Sequence, residues 1–339
     1  MPLVDLVWLA ALTKDEPDAG TDNWHNLIIN IDGFDVLDRD FALRGGGDAG
    51  LGRGQGGLGN SGELPDNFNT AFLTNSSVRL GIRGNDAWRP LHVLVFGRTD
   101  AGFEPSRTVT LAMGTDLVWP ELSTDGSEGK LTMPIPLVAP GSATTVIRRA
   151  LLLVYTRSGT DSPIRLQITA GGNIVLDQEI GDTQQDDLEK QTANWYPLDV
   201  LVPFARGDVL SNGSIRLSIL GSDAWVPSSL FVFGLDTANG GPNEVVTLVS
   251  IPEWDIDVLS TDASEGSASV LLPLAILWKS PPPHRHGPAQ RVRAIHQPRV
   301  RGAKEPSPPR SQTNPLSPHP DPVEGCGRLT KSRVSDLVG

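Results

Sequence analysis

The sequence predicts an all-β protein: two tandem antiparallel β-sandwich domains, followed by a disordered tail rich in proline and arginine. The first observation is a duplication, since Val78–Gly129 recurs without a gap as Ile215–Gly266, 137 positions later, with 23 of 52 positions identical. The second is composition, because 36 glycines and 28 prolines divide the chain into short apolar runs typical of strands. The third is the unit length of roughly 125 residues, the size of one independently folding domain.

The strands are most distinct in the second unit, residues 146–278. Its first apolar run is nearly continuous, which is typical of a strand buried on both faces, and the next run alternates with period two. A Gly-Gly-Asn turn predicts a hairpin, and Pro197 and Pro203 favour an edge strand. Strands are predicted at Arg148–Thr156, Ile164–Thr169, Ile174–Ile180, Asn194–Phe204, Ser214–Leu220, Ser229–Leu235 and Glu244–Ile251, with a closing run at 267–275. Alternation predicts that six side chains point inward: Val95, Leu166, Ile168, Leu217, Ile219 and Val232.

The first unit, residues 1–140, follows the same plan with one intrusion at 44–62, where ten of nineteen residues are glycine. Such a tract has few side chains to bury, so we expect a mobile loop. It contains the pattern G-x-G-x-x-G at Gly52, Gly54 and Gly57. A dinucleotide-binding turn requires a helix directly after this pattern, and none is predicted, so we interpret the match as coincidence.

Charge is distributed unevenly along the chain, whose net charge is −12. Residues 279–339 carry 11 basic and four acidic side chains, which leaves 17 basic and 36 acidic side chains on residues 1–278. The acidic body is expected to repel nucleic acid and to attract divalent cations. The basic stretch 279–339 has no periodicity and is predicted to be a disordered tail. Two origins stay open for it: a native tail, or the product of a shift in reading frame.

Several classes of protein are not supported by the residues present. No apolar stretch is long enough for a transmembrane helix, no signal peptide is recognisable, and a cytoplasmic location is the default expectation. The single cysteine, Cys326, excludes an intrachain disulfide. His25 and His92 are not shared between the copies, and no nucleophile, zinc or phosphate-loop motif occurs. We therefore predict that the protein is not an enzyme.

One shared signature is G-[NS]-D-A-W-x-P, at Gly84–Pro90 and Gly221–Pro227. Asp86 and Asp223 can cap the turn through their own side chains. Trp88 and Trp225 are predicted to fold back over the open end of each sandwich, burying about 150–250 Å² each. The alternative is that these tryptophans are presented to a lipid headgroup layer or a ligand.

Two further signatures carry acidic residues on predicted loops. G-T-D contains Asp22 and Asp161, and the L-S-T-D-x-S-E-G signature supplies four more candidates: Asp125, Glu128, Asp262 and Glu265. Because Ca²⁺ takes six to eight oxygen ligands, these six side chains are candidate metal ligands. The alternative is that they cap turns, since no D-x-D-x-D-G spacing is present. No motif in the sequence requires a cofactor. Ca²⁺ is the one cofactor that the six candidate side chains could bind.

The order of motifs in the second unit resembles that of the PLAT (lipoxygenase-homology) domain family. The similarity covers about 90 residues: Gly159–Asp161, Ile164–Thr169, Asp186–Tyr196, Ile215–Trp225 and Ser229–Gly234. The first unit, a more divergent copy, matches at Gly20–Gly33 and Val78–Gly97. Leu188 and Lys190 depart from the family, which has Phe and Arg there. The resemblance implies an eight-stranded sandwich that mediates contact with lipid or protein and that binds Ca²⁺ in some members. The acidic positions of the family match Asp22 and Asp161 in this chain. Its tryptophan position matches Trp88 and Trp225.

The predicted function is that of a non-catalytic binding or interaction protein built from two PLAT-like modules. Its partner would be a protein or lipid surface, with Ca²⁺ assisting in one version of the hypothesis. The alternative is a carbohydrate-binding accessory region of a larger secreted or surface enzyme system. For that alternative the candidate contacts are Trp24, Trp119, Trp195 and Trp254.

Overall fold

The described residues of the first copy of the repeat form ten strands, and we call this part of the molecule lobe 1. The computed structural model describes residues 3–43, 50–99, 107–115, 121–127, 129–181, 188, 192–237 and 242–275. The strands of lobe 1 are β1 (Leu3–Thr13), β2 (Trp24–Ile31), β3 (Phe34–Phe41), β4 (Gly56–Asn69), β5 (Val78–Arg83), β6 (Ala87–Trp88), β7 (Pro90–Thr99), β8 (Arg107–Gly114), β9 (Leu122–Ser123) and β10 (Thr132–Pro134). A 3-10 turn, Thr70–Phe72, follows β4.

The second copy forms lobe 2, reached through a linker that we define as residues 135–145. The linker contains β11 (Ala139–Pro140). The elements of lobe 2 are β12 (Val146–Ser158), β13 (Ile164–Ala170), β14 (Asn173–Ile180), β15 (Ala193–Ala205), α1 (Arg206–Asn212), β16 (Ser214–Ile219), β17 (Val226–Leu235), β18 (Glu244–Ile251) and β19 (Ser269–Leu272).

Each lobe is a sandwich of two sheets, and the strand order is the same in both. In lobe 1 the sheets run β4-β1-β7-β8 and β10-β5-β2-β3, and in lobe 2 they run β15-β12-β17-β18 and β19-β16-β13-β14, with β11 added beside β18. The paired strands of these sheets are antiparallel, except that β11 lies parallel to β18. The prediction of an all-β, antiparallel fold is therefore confirmed for the described residues.

A separate apolar core fills each lobe. All six side chains predicted to point inward are buried in these cores, Val95 in lobe 1 and the other five in lobe 2. Leu166 and Leu217 lie directly opposite each other on β13 and β16. Because side chains alternate across a strand, this burial confirms the assigned phase of both strands.

A third buried cluster, which we call the seam, joins the two lobes. It brings together residues of β1, β7 and β8 with residues of β12, β15, β17 and β18. Phe96 lies at its centre, with its ring centroid 5.2 Å from that of Trp8, 4.8 Å from that of Phe231 and 5.5 Å from that of Phe233. The sheets β4-β1-β7-β8 and β15-β12-β17-β18 therefore each bury one face in a lobe core and the other in the seam. This arrangement explains why β1 and β12 are apolar on both faces.

The glycine-rich tract 44–62 is not one mobile loop, so that prediction is wrong for its second half. Residues 56–62 belong to β4, which pairs with β1, while 44–49 lie outside the described residues. A Cβ at Gly56 would lie 2.0 Å from the Ala193 carbonyl oxygen, and one at Gly57 would lie 2.5 Å from Leu43 Cβ. Glycine is needed here because β4 passes directly against neighbouring backbone, including that of lobe 2.

Helix α1 was not predicted from the sequence. Its first turn depends on contacts with the linker, because the Arg206 N–H donates to the Thr145 carbonyl (3.1 Å) and the Gly207 N–H donates to the Ala143 carbonyl (2.8 Å). A seven-residue helix is too short to be stable by propensity alone, so local sequence carries little signal for it.

The described residues include no helix with the length and apolar character needed to span a bilayer. The tail predicted at 279–339 lies outside the described residues.

Candidate functional site

The three shared signatures meet at one end of lobe 1, because their loops hydrogen-bond to one another. The Asp22 N–H donates to Asp86 Oδ2 (3.1 Å), and Asp86 Oδ1 accepts from the Ala87 N–H (2.8 Å). The Thr124 hydroxyl donates to the Gly84 carbonyl. Asp86 therefore caps its own turn and also ties the G-T-D loop to it.

Lobe 2 contains the same junction with one change of partner. The Asp223 N–H donates to Ser162 Oγ (3.1 Å), Asp223 Oδ1 accepts from the Ala224 N–H (2.8 Å), and the Thr261 hydroxyl donates to the Gly221 carbonyl (2.9 Å). Asp161 is exposed beside this junction. The carboxylate of Asp223 thus has a structural role in its turn, as that of Asp86 has in lobe 1.

The acidic residues of the third signature also cap turns. Asp125 Oδ1 accepts from the Ser127 N–H (2.8 Å) and hydroxyl (2.7 Å), and Asp262 Oδ1 accepts from the same groups of Ser264 at the same distances. The hydroxyl bond, and after it the backbone bond, lowers the pKa of both aspartates, since hydrogen bonding favours the ionised form. Glu265 Oε2 accepts from the Ser260 hydroxyl (3.2 Å).

These carboxylates are not gathered into a metal centre by the described residues. No group of three or more His, Cys, Asp or Glu side chains in those residues is close enough to hold a metal ion. Glu128, one of the six candidate ligands, lies outside them. The carboxylates of the other five candidates either accept hydrogen bonds within turns or stand alone at the surface. A Ca²⁺ ion, in contrast, needs six to eight oxygen ligands around one point.

Trp88 and Trp225 are fully buried in the cores of their lobes. In lobe 1 the Trp88 indole N–H donates to Thr13 Oγ1 (3.0 Å), and the rings of Trp88 and His25 form a T-shaped pair with 4.3 Å between centroids. In lobe 2 the equivalent atoms, Trp225 Nε1 and Thr156 Oγ1, are both buried and have no hydrogen-bond partner among the described residues. Both tryptophans therefore close the end of a sandwich, as predicted, and neither presents its ring to a surface.

A cleft of about 450 Å³ opens along the seam between the lobes, and we call it the seam cleft. Three aromatic side chains line it: Trp8 from β1, Tyr155 from β12 and Trp254 from the segment after β18. Trp254 is partly buried, and its indole Nε1 has no hydrogen-bond partner in the described part of the chain. Its backbone N–H donates to the Ser228 carbonyl (2.8 Å), which holds the ring at the wall of the cleft.

The rim of the seam cleft is polar. Asn60, Arg157 and Glu253 are exposed and line the same cleft as the aromatic side chains. An amide, a guanidinium and a carboxylate together supply hydrogen-bond donors and acceptors around an apolar surface. A concave site that combines aromatic walls with a few polar groups is typical of small-ligand binding.

The tryptophans of the carbohydrate hypothesis have different positions. Trp254 lines the seam cleft, Trp24 is 45% exposed on the β10-β5-β2-β3 sheet, Trp195 is buried in the seam, and Trp119 lies outside the described residues. Sequence reasoning missed Trp8 as a cleft residue. The continuous apolar runs of β1 and β12 were the available signal, since two buried faces imply that the lobes pack together and leave a groove at the margin of that contact.

Comparisons of the chain with protein-family models, with curated proteins and with solved structures found no match.

Proposed function

We propose that the protein is a non-catalytic binding protein that holds a glycan in the seam cleft. The observation that carries this proposal is the pairing of aromatic walls, Tyr155 and Trp254, with a polar rim in one cleft of about 450 Å³. Sugar rings offer C–H faces that pack on aromatic rings and hydroxyls that need donors and acceptors. Residues of both lobes line the cleft, so a ligand bound there would contact both copies of the repeat.

Two other observations favour a glycan over a lipid surface. Trp88 and Trp225 are buried and cannot insert into a headgroup layer. The body carries 36 acidic and 17 basic residues, so an anionic membrane would repel it. Kinship with PLAT domains remains part of the proposal, and it is supported by the order of the motifs together with the two four-stranded sheets of each lobe.

The direct test is glycan binding by the full chain, first on an array of oligosaccharides and then by isothermal titration with the ligand found. Trp254→Ala and the exposed-rim variant Arg157→Ala should each weaken binding at least about tenfold, equivalent to about 1.4 kcal/mol. Trp24→Ala is the matched control, because it removes an indole outside the cleft. Equal weakening by Trp24→Ala, or loss of binding only through Trp254→Ala with unchanged binding by Arg157→Ala, would contradict the assignment of the cleft.

Calcium and lipid are separate outcomes of the same experiment. We expect glycan affinity to be equal in EDTA and in Ca²⁺, because the described carboxylates form no group of three at any point. Co-sedimentation with phosphatidylserine-containing vesicles that requires Ca²⁺ and is lost in Asp161→Ala, with no glycan bound, would replace this proposal by the lipid function.

A further inference from the structure

The seam has an approximate twofold symmetry, because equivalent residues of the two lobes meet at its centre. Phe96 and Phe233 occupy the same position of the repeat, 137 residues apart, and their ring centroids are 5.5 Å apart. A contact between equivalent residues is typical of an isologous interface, in which a feature at one end has a counterpart at the other. The seam cleft at one end therefore implies a related site at the opposite end.

A pocket of about 110 Å³ lies at the corresponding place, and we call it the second seam pocket. Ser229 and Pro252 line the seam cleft, and their counterparts 137 residues earlier, His92 and Thr115, line the second seam pocket. Strand β12 contributes residues 155 and 157 to the cleft and residues 149–151 to the pocket. Six residues of a strand span about 20 Å, so the two sites are separate.

Arg149 places a guanidinium group in the wall of the second seam pocket. Its Nε atom is buried, and among the described residues Nε has no hydrogen-bond partner and the side chain forms no ion pair. The arginine of the same strand pair in lobe 1 is Arg98, which lies opposite Leu6 as Arg149 lies opposite Leu235, and Asp5 binds it with 2.9 Å between Nε and Oδ1. Because a charge withdrawn from water is costly unless it is paired, Arg149 is suited to an anionic ligand.

Trp195 adds a second hydrogen-bond donor to the wall of the pocket. Its side chain is 7% exposed, and its indole Nε1 has no partner in the described part of the chain. The ring lies beside that of His92, with 5.9 Å between centroids. A buried donor that stays unsatisfied lowers stability, so an acceptor atom that reached this N–H would remove that cost.

The other walls favour a carboxylate with an apolar chain over phosphate or sulfate. The described lining contains no Asp or Glu, and Met113, Leu151 and Leu235 make most of it apolar. A guanidinium binds a carboxylate through two parallel hydrogen bonds, whereas a phosphate dianion would lose water from oxygens for which the pocket has no donors. Since a cavity of roughly 150 Å³ holds benzene, one of about 110 Å³ fits a chain of a few carbon atoms.

We propose that the second seam pocket binds a short-chain monocarboxylate, with its carboxylate on the Arg149 guanidinium and its alkyl chain against Leu151 and Leu235. The ligand would contact both lobes, because Met113 belongs to lobe 1 and Arg149 to lobe 2. The proposal is independent of glycan binding, since the seam cleft is a separate site.

Isothermal titration of the full chain with sodium butyrate tests the proposal, and butyramide is the uncharged control of the same shape. Butyrate should bind, while butyramide and inorganic phosphate should each bind at least about tenfold more weakly. Arg149→Met should weaken butyrate binding at least about tenfold, whereas Arg157→Met, which removes a guanidinium from the seam cleft, should leave it unchanged. Absence of butyrate binding, equal binding of butyramide or phosphate, or equal losses in the two variants would overturn the proposal.

Nuclear magnetic resonance locates the site without a substitution at Arg149. In the full chain labelled with ¹⁵N-tryptophan, the indole N–H signal of Trp195 is assigned by its absence from Trp195→Phe. Butyrate should shift this signal more than that of Trp254, which lines the seam cleft. A larger shift for Trp254, or an unchanged Trp195 signal at saturating butyrate, would place the ligand elsewhere and contradict the assignment.

Discussion

Phe96→Ala is expected to weaken the energetic coupling between the two lobes, because the Phe96 side chain packs against both of them. Phe96 is fully buried and makes ring contacts with Trp8, Phe231 and Phe233, two of which belong to the other lobe. Truncation of a buried phenylalanine costs about 3–5 kcal/mol, a value that already includes the lost ring contacts. At roughly 2–4 °C per kcal/mol for a protein of this size, the melting temperature should fall by about 6–20 °C.

The assay is urea unfolding of the full chain, followed by tryptophan fluorescence and by far-ultraviolet circular dichroism. If the seam couples the lobes, the native chain unfolds in one transition and Phe96→Ala either shifts it or resolves it into two. Leu217→Ala is the control, since it creates a cavity inside lobe 2 away from the seam. A loss below about 0.5 kcal/mol in the free energy of unfolding for Phe96→Ala would refute the reasoning, because substitutions at the surface usually stay within that range.

Three further substitutions test individual elements. Leu217→Ala should cost about 2–5 kcal/mol in the free energy of unfolding, and a cost under about half a kcal/mol would show that the phase of β16 is wrong. Gly56→Ala should destabilise by about 1–3 kcal/mol in the same urea assay, because its Cβ would lie 2.0 Å from the Ala193 carbonyl oxygen, whereas the control Gly126→Ala meets no atom within 4 Å and should be neutral. Asp177→Asn should be most destabilising near pH 7 and progressively less so below about pH 4. The Arg165 hydrogen bond lowers the pKa of Asp177 in the folded state, so its stabilisation is present above the unfolded-state pKa and is lost as the pH falls through the folded one. Unfolding free energies that differ by a constant amount from pH 2 to pH 7 would contradict that assignment.

Local patterns were sufficient for most strands of lobe 2. The predicted run Ile164–Thr169 is β13 (Ile164–Ala170), and the predicted Glu244–Ile251 is β18 with the same bounds. The proline-bearing run at 194–204 is β15, an edge strand in its sheet. Periodicity predicts the strands and prolines predict the edge strand, because both features depend on residues that are close together in the sequence.

The candidate site was predicted less completely. The G-[NS]-D-A-W turn and its capping Asp86 and Asp223 were visible because a turn is a local structure. The seam cleft was not visible, since Trp8 and Trp254 are separated by most of the chain and meet when the lobes pack. A tryptophan in a sequence carries no mark that distinguishes a core position such as Trp225 from a cleft wall such as Trp254.

The sequence by itself determined the duplication, the all-β class, the strand phases and the shared turn chemistry, because repeats, alternation and short capping motifs are written in adjacent residues. The tertiary structure alone decided that the lobes face each other across an aromatic seam, that the glycine tract enters β4, and that α1 rests on the linker. The physical reason is that each of these features is stabilised by contacts between segments distant in sequence, where burial of apolar surface and close backbone approach depend on which faces meet.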